Sequence, residues 1–158
     1  MFVVGCLWLF PVVNPAHSEE FNASEYSALK DLYDSTGGEY WTYDGATDGH
    51  WNFSDTQPCL PTPWQGLTCA SSNVSVSKIV LNTYNLSGTL PGEVFENLTG
   101  LDYLNLNNNN IRGKIPASLG NLSQLQYLYL YNNDLSGSIP ESLGSLPQLR
   151  RLELQYNC

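Results

Sequence analysis

The sequence predicts an α/β solenoid, a coil of short parallel β-strands behind an N-terminal helical cap. Three observations predict it: a 24-residue periodicity over residues 76–158, an apolar helical pattern over residues 24–34, and an Asn- and Leu-rich composition with only 13% charged residues. Apolar residues make up 42% of the 158, enough for a packed core and against wholesale disorder. The formal net charge is −9 with six Lys and Arg, which excludes the broad basic footprint that a nucleic-acid partner demands.

Residues 1–18 come first. Phe2 to Val13 is apolar except for Gly5, Cys6 and Pro11, a run too short for a bilayer core of about 30 Å. Ala16-His17-Ser18 places small residues where a signal peptidase cuts, so a signal peptide with a mature start near Glu19 is expected. The run holds no Lys or Arg, which keeps a buried N-terminal strand as the alternative. No later segment approaches 18 apolar residues, so no membrane anchor is expected in this chain. Six Asn-x-Ser/Thr sequons, at Asn22, Asn52, Asn73, Asn85, Asn97 and Asn121, favour a glycosylated, secreted chain at the cell surface or wall.

Residues 19–75 form the expected cap. Ser24 can cap a helix over 24–34, Glu25 suits its first turn, and Ala28, Leu29, Leu32 and Tyr33 make its apolar face. Thr36-Gly37-Gly38 ends it. Trp41, Trp51 and Trp64 follow among Gly, Asp and Pro, as cap core or, alternatively, as a ligand platform. Nine of the fifteen carboxylates lie in this segment, against one cation, Lys30. His50 is the one His beyond residue 18, and no nucleophile motif accompanies it, so no catalytic residues are expected. Asp44, Asp48 and Asp55 miss the calcium-loop spacing, and neither a metal nor a cofactor is expected.

The repeats divide as 76–100, 101–124, 125–148 and a partial 149–158. Leu101, Leu104, Leu106, Asn109, Ile111, Gly113, Ile115 and Pro116 recur 24 residues on as Leu125, Leu128, Leu130, Asn133, Leu135, Gly137, Ile139 and Pro140. Leu149, Leu152, Leu154 and Asn157 begin a further copy. Val76, Ile79, Leu81, Leu86, Gly88, Leu90 and Pro91 precede by 25, with the extra residue near Phe95-Glu96 and Tyr84 in place of the Asn. In each Leu-x-x-Leu-x-Leu, the last two leucines are two apart and face one side of a short strand. One repeat cannot bury its own leucines, but stacked neighbours bury a continuous core. Gly113 and Gly137 permit a tight turn, and Pro116 and Pro140 stiffen the return segment.

This pattern resembles the plant-type class of leucine-rich repeats, with its Leu-x-Gly-x-Ile-Pro signature. The resemblance implies a right-handed coil with strands on a concave face and an irregular or 3-10 convex side. It implies that Asn109, Asn133 and Asn157 turn inward and bond backbone groups of adjacent turns, which an amide with both donors and acceptor can do. With Tyr84 in the first repeat, that ladder is expected to start beside the cap without an upstream partner. Cys59, Trp64-Gln-Gly66 and Cys69 resemble the cap of plant repeat ectodomains. That likeness implies a Cys59–Cys69 disulfide, of about 2.5–3 kcal/mol on the chain-entropy account. The alternative for the pair is a metal site, although two Cys and one His do not fill the usual zinc shell.

The candidate ligand-binding face is the solvent side of the strands: Tyr103, Asn105 and Asn107, then Tyr127, Tyr129 and Tyr131, then Arg151, Glu153 and Tyr156. Exposed tyrosines give rigid contact area with a hydrogen-bonding tip; the plain alternative is their strand propensity. A protein, peptide or glycan ligand fits. The resemblance implies either a receptor-like kinase or receptor-like protein ectodomain, of which this chain is a fragment or short form, or a stand-alone secreted inhibitor resembling the polygalacturonase inhibitors. A structural wall or matrix protein is the other class. The fourth repeat stops before its return segment, so an uncapped apolar end with a route to self-association is expected there. Cys158 is left over for a missing cap or an interchain pair.

Overall fold

The computed structural model describes residues 20–45, 49–72 and 74–158. The expected signal segment therefore lies outside the described residues, as do Asp48 and the sequon Asn73.

The cap opens with α1, Ala23–Ser35. Asn22, not Ser24, is its N-cap: the Asn22 Oδ1 accepts from the Ser24 and Glu25 amides at 2.9 and 3.2 Å. Glu25 stands three residues after that cap, where a carboxylate ordinarily reaches back to the cap amide. Here both groups turn elsewhere. Glu25 Oε2 accepts from the Val76 N–H at 2.7 Å, and the Asn22 N–H donates to the Val74 carbonyl at 3.0 Å. At the other end Thr36 caps the helix, and its carbonyl accepts from the Ser87 N–H at 2.9 Å and from Trp41 Nε1 at 3.1 Å. The helix thus lies against the first repeat where a preceding repeat would lie, and supplies the hydrogen bonds such a repeat would make. Gly88 makes this approach feasible: its φ is +111°, and a Cβ there would sit 2.1 Å from the Ser35 carbonyl oxygen.

After a 3-10 turn at Gly38–Tyr40, the cap chain closes around its own rings. Trp41, Trp51 and Trp64 are 6%, 5% and 4% exposed, so they are core rather than an exposed platform. Trp51 packs edge-on to Trp41 at 4.9 Å, and Phe53 edge-on to Trp64 at 4.7 Å. Cys59 and Cys69 form a disulfide with Cα atoms 6.0 Å apart.

The strands follow in chain order: β1 Leu67–Cys69, β2 Val76–Val80, β3 Ser87–Thr89, β4 Tyr103–Asn105, β5 Asn110–Lys114, β6 Tyr127–Tyr129, β7 Asp134–Ser136 and β8 Arg151–Glu153. A short helix α2, Val94–Asn97, stands in the first repeat; 3-10 turns at Ala117–Asn121 and Glu141–Ser145 take that place in the next two. The extra residue of the first repeat therefore winds its return segment into an α-turn. One sheet runs β1-β2-β4-β6-β8. Within it β1 pairs antiparallel to β2, and all later pairs are parallel. The antiparallel β1 comes from the cap and covers the β2 edge, which would otherwise offer unpaired backbone groups.

The return side is more regular than expected. β3, β5 and β7 make a second parallel sheet of three strands. Sequence periodicity did not reveal it because Ser87–Thr89 and Asp134–Ser136 carry one apolar residue at most per strand. Between the two sheets lie Leu81, Leu86, Leu104, Leu106, Leu128 and Leu130, each 0% exposed. The apolar stack opens at the last repeat, where Ile139 and Leu152 are 58% and 38% exposed. Among the described residues no helix is long and apolar enough to cross a membrane.

Candidate functional site

The Asn ladder fixes the geometry from which the strand face is built. Asn109 Oδ1 accepts from the Leu86 N–H at 3.0 Å, while its Nδ2 donates to the carbonyls of Leu81 and Leu106 at 2.8 and 2.9 Å. Asn133 repeats this with the Ile111 N–H and the Leu106 and Leu130 carbonyls, and Asn157 with the Leu135 N–H and the Leu130 and Leu154 carbonyls. Each amide therefore binds its own strand end to that of the repeat before it. At Tyr84 the ladder gives way to the cap: the Tyr84 carbonyl accepts from the Thr42 N–H at 2.8 Å, and Asn85 Nδ2 donates to the Tyr40 carbonyl at 3.1 Å. The first repeat thus has an upstream partner after all, supplied by the cap loop.

On the solvent side of the large sheet, Tyr103, Tyr127 and Tyr129 come together. Ring centroids are 5.5 Å apart for Tyr103–Tyr127 and for Tyr103–Tyr129, and 6.5 Å for Tyr127–Tyr129, whose planes differ by 9°. All three are half-buried. Arg151 places its guanidinium carbon 5.7 Å from the Tyr129 centroid, and two of its nitrogens lie 2.5 and 2.7 Å from Glu153 Oε1. That contact raises Arg151 above its ordinary pKa. Tyr129 is also raised, first by desolvation and then by Tyr103, with Arg151 opposing. The phenol therefore stays a neutral donor and acceptor over the physiological range. On the far side Lys78 Nζ lies 6.0 Å from the Tyr103 centroid; Lys78 is the repeat-equivalent of Tyr103 in the sequence but is not among the selected ligand residues, and the strand register pairs the two directly.

Three expected face residues sit otherwise. Asn107 is buried, at 5% exposure, and presents nothing to solvent. The alternation of strand residues fails there because β4 ends at Asn105 and Asn108 turns with φ 54°. The Asn107 N–H then bonds Asn105 Oδ1 at 3.2 Å, and its Oδ1 accepts from Asn108 Nδ2 at 2.5 Å. Tyr131 occupies the equivalent place one repeat on and is half-buried; among the described residues it makes no ring contact with the other three tyrosines. Tyr156 is 77% exposed but lies past the end of β8, at φ 58°. Asn105 stays on the face, half-buried.

The remaining candidates lie elsewhere. Sequons Asn22, Asn52, Asn85, Asn97 and Asn121 are exposed, and Asn85 has its amide nitrogen on the Tyr40 carbonyl. His50 stacks on Tyr43 at 4.0 Å, and burial pushes the Tyr43 phenol up to about 12. Among the described residues no group of three or more His, Cys, Asp or Glu is placed to hold a metal ion.

Parallel strands in constant register, a ladder of inward amides and a disulfide-closed cap define a solenoid repeat protein. Residues 75–135 and 116–158 match the family model described as Leucine rich repeat, and the chain belongs to that family. It is 36% identical over 119 residues to the receptor-like protein kinase HSL1 of Arabidopsis thaliana, covering 75% of this chain and 10% of that protein. The ectodomain of the Arabidopsis receptor kinase SOBIR1 superposes with a TM-score of 0.67 at 25% identity, covering 87% of this chain and 69% of that one. The ectodomain of the Arabidopsis receptor kinase GASSHO1/SCHENGEN3, solved in complex with CASPARIAN STRIP INTEGRITY FACTOR 2, superposes with a TM-score of 0.66 at 31% identity, covering 85% and 15%. The chain thus spans a tenth of the HSL1 length.

Proposed function

We propose that this chain is a secreted recognition module of the receptor-ectodomain type, and that a protein or peptide docks on the solvent face of the large sheet. The observation that carries the reading is the cluster of Tyr103, Tyr127 and Tyr129, held in mutual contact on adjacent strands. Rings fixed by the strand lattice lose little freedom on binding, which lowers the ordering cost of association. The GASSHO1/SCHENGEN3 ectodomain, solved in complex with CASPARIAN STRIP INTEGRITY FACTOR 2, supports a partner-binding role for such a scaffold. Secretion through residues 1–18 accompanies the reading, with glycans at exposed sequons such as Asn97 and Asn121.

The test is panning of a displayed random-peptide library on the full chain made in a secretory host. Enrichment of a peptide family is expected, with retention cut about tenfold or more by Tyr129→Ala, the loss of ~1.4 kcal/mol or more that removing a central aromatic anchor produces. Enrichment that Tyr103→Ala and Tyr129→Ala both leave untouched rejects the face.

A further inference from the structure

The register of the large sheet aligns one solvent-side residue from each repeat strand into a row. Lys78, Tyr103, Tyr127 and Arg151 are successive partners across β2, β4, β6 and β8, with Val80, Asn105, Tyr129 and Glu153 as the neighbouring row. Three rings therefore stand between two cations. With strands about 4.8 Å apart, the first row spans roughly 14 Å, the length of about four extended residues.

The two cations are not equivalent. Arg151 already binds Glu153, the single carboxylate of the two rows. Lys78 is exposed, and among the described residues it has no carboxylate within ion-pair distance; the Tyr103 ring is what it meets. A cation beside an aromatic face and without a counter-ion gains from an incoming anion. Glu153 is the one carboxylate in these two rows and is already bound by Arg151, and exposed charges beyond about 8 Å are screened at physiological salt. Tyrosine hydroxyls and the Asn105 amide add the neutral donors and acceptors that an extended backbone needs.

We propose that this face selects acidic peptides, with a ligand carboxylate on Lys78 and the adjoining side chains against Tyr103, Tyr127 and Tyr129. The proposal rests on the same face being a peptide site, and the experiment separates the two. Immobilised pools of short synthetic peptides, randomised except for one central residue fixed as acidic, basic or neutral, are probed with the labelled full chain. Retention on the acidic pool is expected to exceed that on the basic pool by about tenfold, the ratio that ~1.4 kcal/mol gives. Lys78→Ala and Lys78→Gln should abolish that preference with thermal melting unchanged. Tyr103→Ala should weaken retention on every pool. Equal retention on all three pools, or a preference that survives both Lys78 variants, overturns acidic selection and leaves the face standing. Retention indifferent to both Tyr103→Ala and Tyr129→Ala overturns the face itself, and no retention on any pool overturns both.

Discussion

Trp51 in the cap and Leu128 in the repeats are both withdrawn from water, at 5% and 0% exposure, yet they are held by different means. Leu128 has the same neighbours as Leu104 one repeat earlier, because β4 and β6 pair in register and Asn133 repeats the bonds of Asn109. Trp51 has no counterpart. It touches Tyr33, Trp41, Phe53 and Trp64, and its Nε1 donates to the Gln65 carbonyl at 2.9 Å. The solenoid distributes its stability over identical junctions, whereas the cap concentrates its own in a few irreplaceable rings. A substitution in the cap should therefore cost more, and spread further, than one of similar size in the ladder.

The largest effect is expected for Trp51→Ala, at about 3–5 kcal/mol, the range for deleting a buried aromatic. Urea unfolding followed by tryptophan fluorescence, with amide exchange at β2, measures both size and reach. Exchange at Val76 and Ile79 should rise with that in the cap; protection of β2 that stays at its original level would show two independent units. Next comes the ladder. Asn133→Ala leaves the Ile111 N–H without its acceptor and takes one of two amide donors from each of the Leu106 and Leu130 carbonyls, which keep Asn109 and Asn157; it should cost about 1–3 kcal/mol, as a buried unsatisfied group does. Asn157→Ala removes the same bonds beside the open end, where Asn157 is half-buried against the buried Asn133, so its shift in urea midpoint should be clearly smaller. Equal midpoints would show that position along the ladder does not matter.

The smallest effect lies at the seam between the two regions. Burial holds the Glu25 carboxyl above its ordinary value of 4.5, partly offset by the Val76 N–H. The folded state then binds this proton more tightly than the unfolded chain does. Its contribution is full below the ordinary carboxylate value and is lost as pH rises through the raised folded value. Thermal melts across that window should show the wild type losing stability with rising pH relative to Glu25→Gln, whose amide keeps an acceptor for Val76. Parallel curves for the two proteins would remove Glu25 from the seam.

The same division governs what could be read from the residues. Leu104, Leu128, Asn109 and Asn133 were legible because each recurs at a spacing that only stacking explains. The helix was legible from Ala28, Leu29 and Leu32, but its true cap, Asn22, was hidden by the equally suitable Ser24 beside it. Glu25 reads as an ordinary first-turn acid, and nothing local signals a partner 51 residues away. The antiparallel β1 was illegible for the same reason. Asn107 misled because strand alternation was carried past the point where β4 ends. Of the face, the tyrosines stood out by type, while Lys78 was legible as a solvent-side strand position and only its 6.0 Å approach to the Tyr103 ring needed the structure.

The bonds of Asn109, Asn133 and Asn157 also determine how such a chain can change length. Each amide serves two consecutive repeats, so what is conserved from turn to turn is the joint between them. Excising residues 110–133 would bring Asn109 before Asp134, where Asn133 now stands, and would rebuild one joint from the halves of two. Duplicating the same block would add a joint of the same make. Slips of a whole period are thus absorbed without new chemistry, while a slip of another size must be taken up in the return segment, as the extra residue of the first repeat is at α2 with the Asn109 bonds kept. The solenoid can grow or shrink in steps of one turn, and the cap, which has no period, cannot.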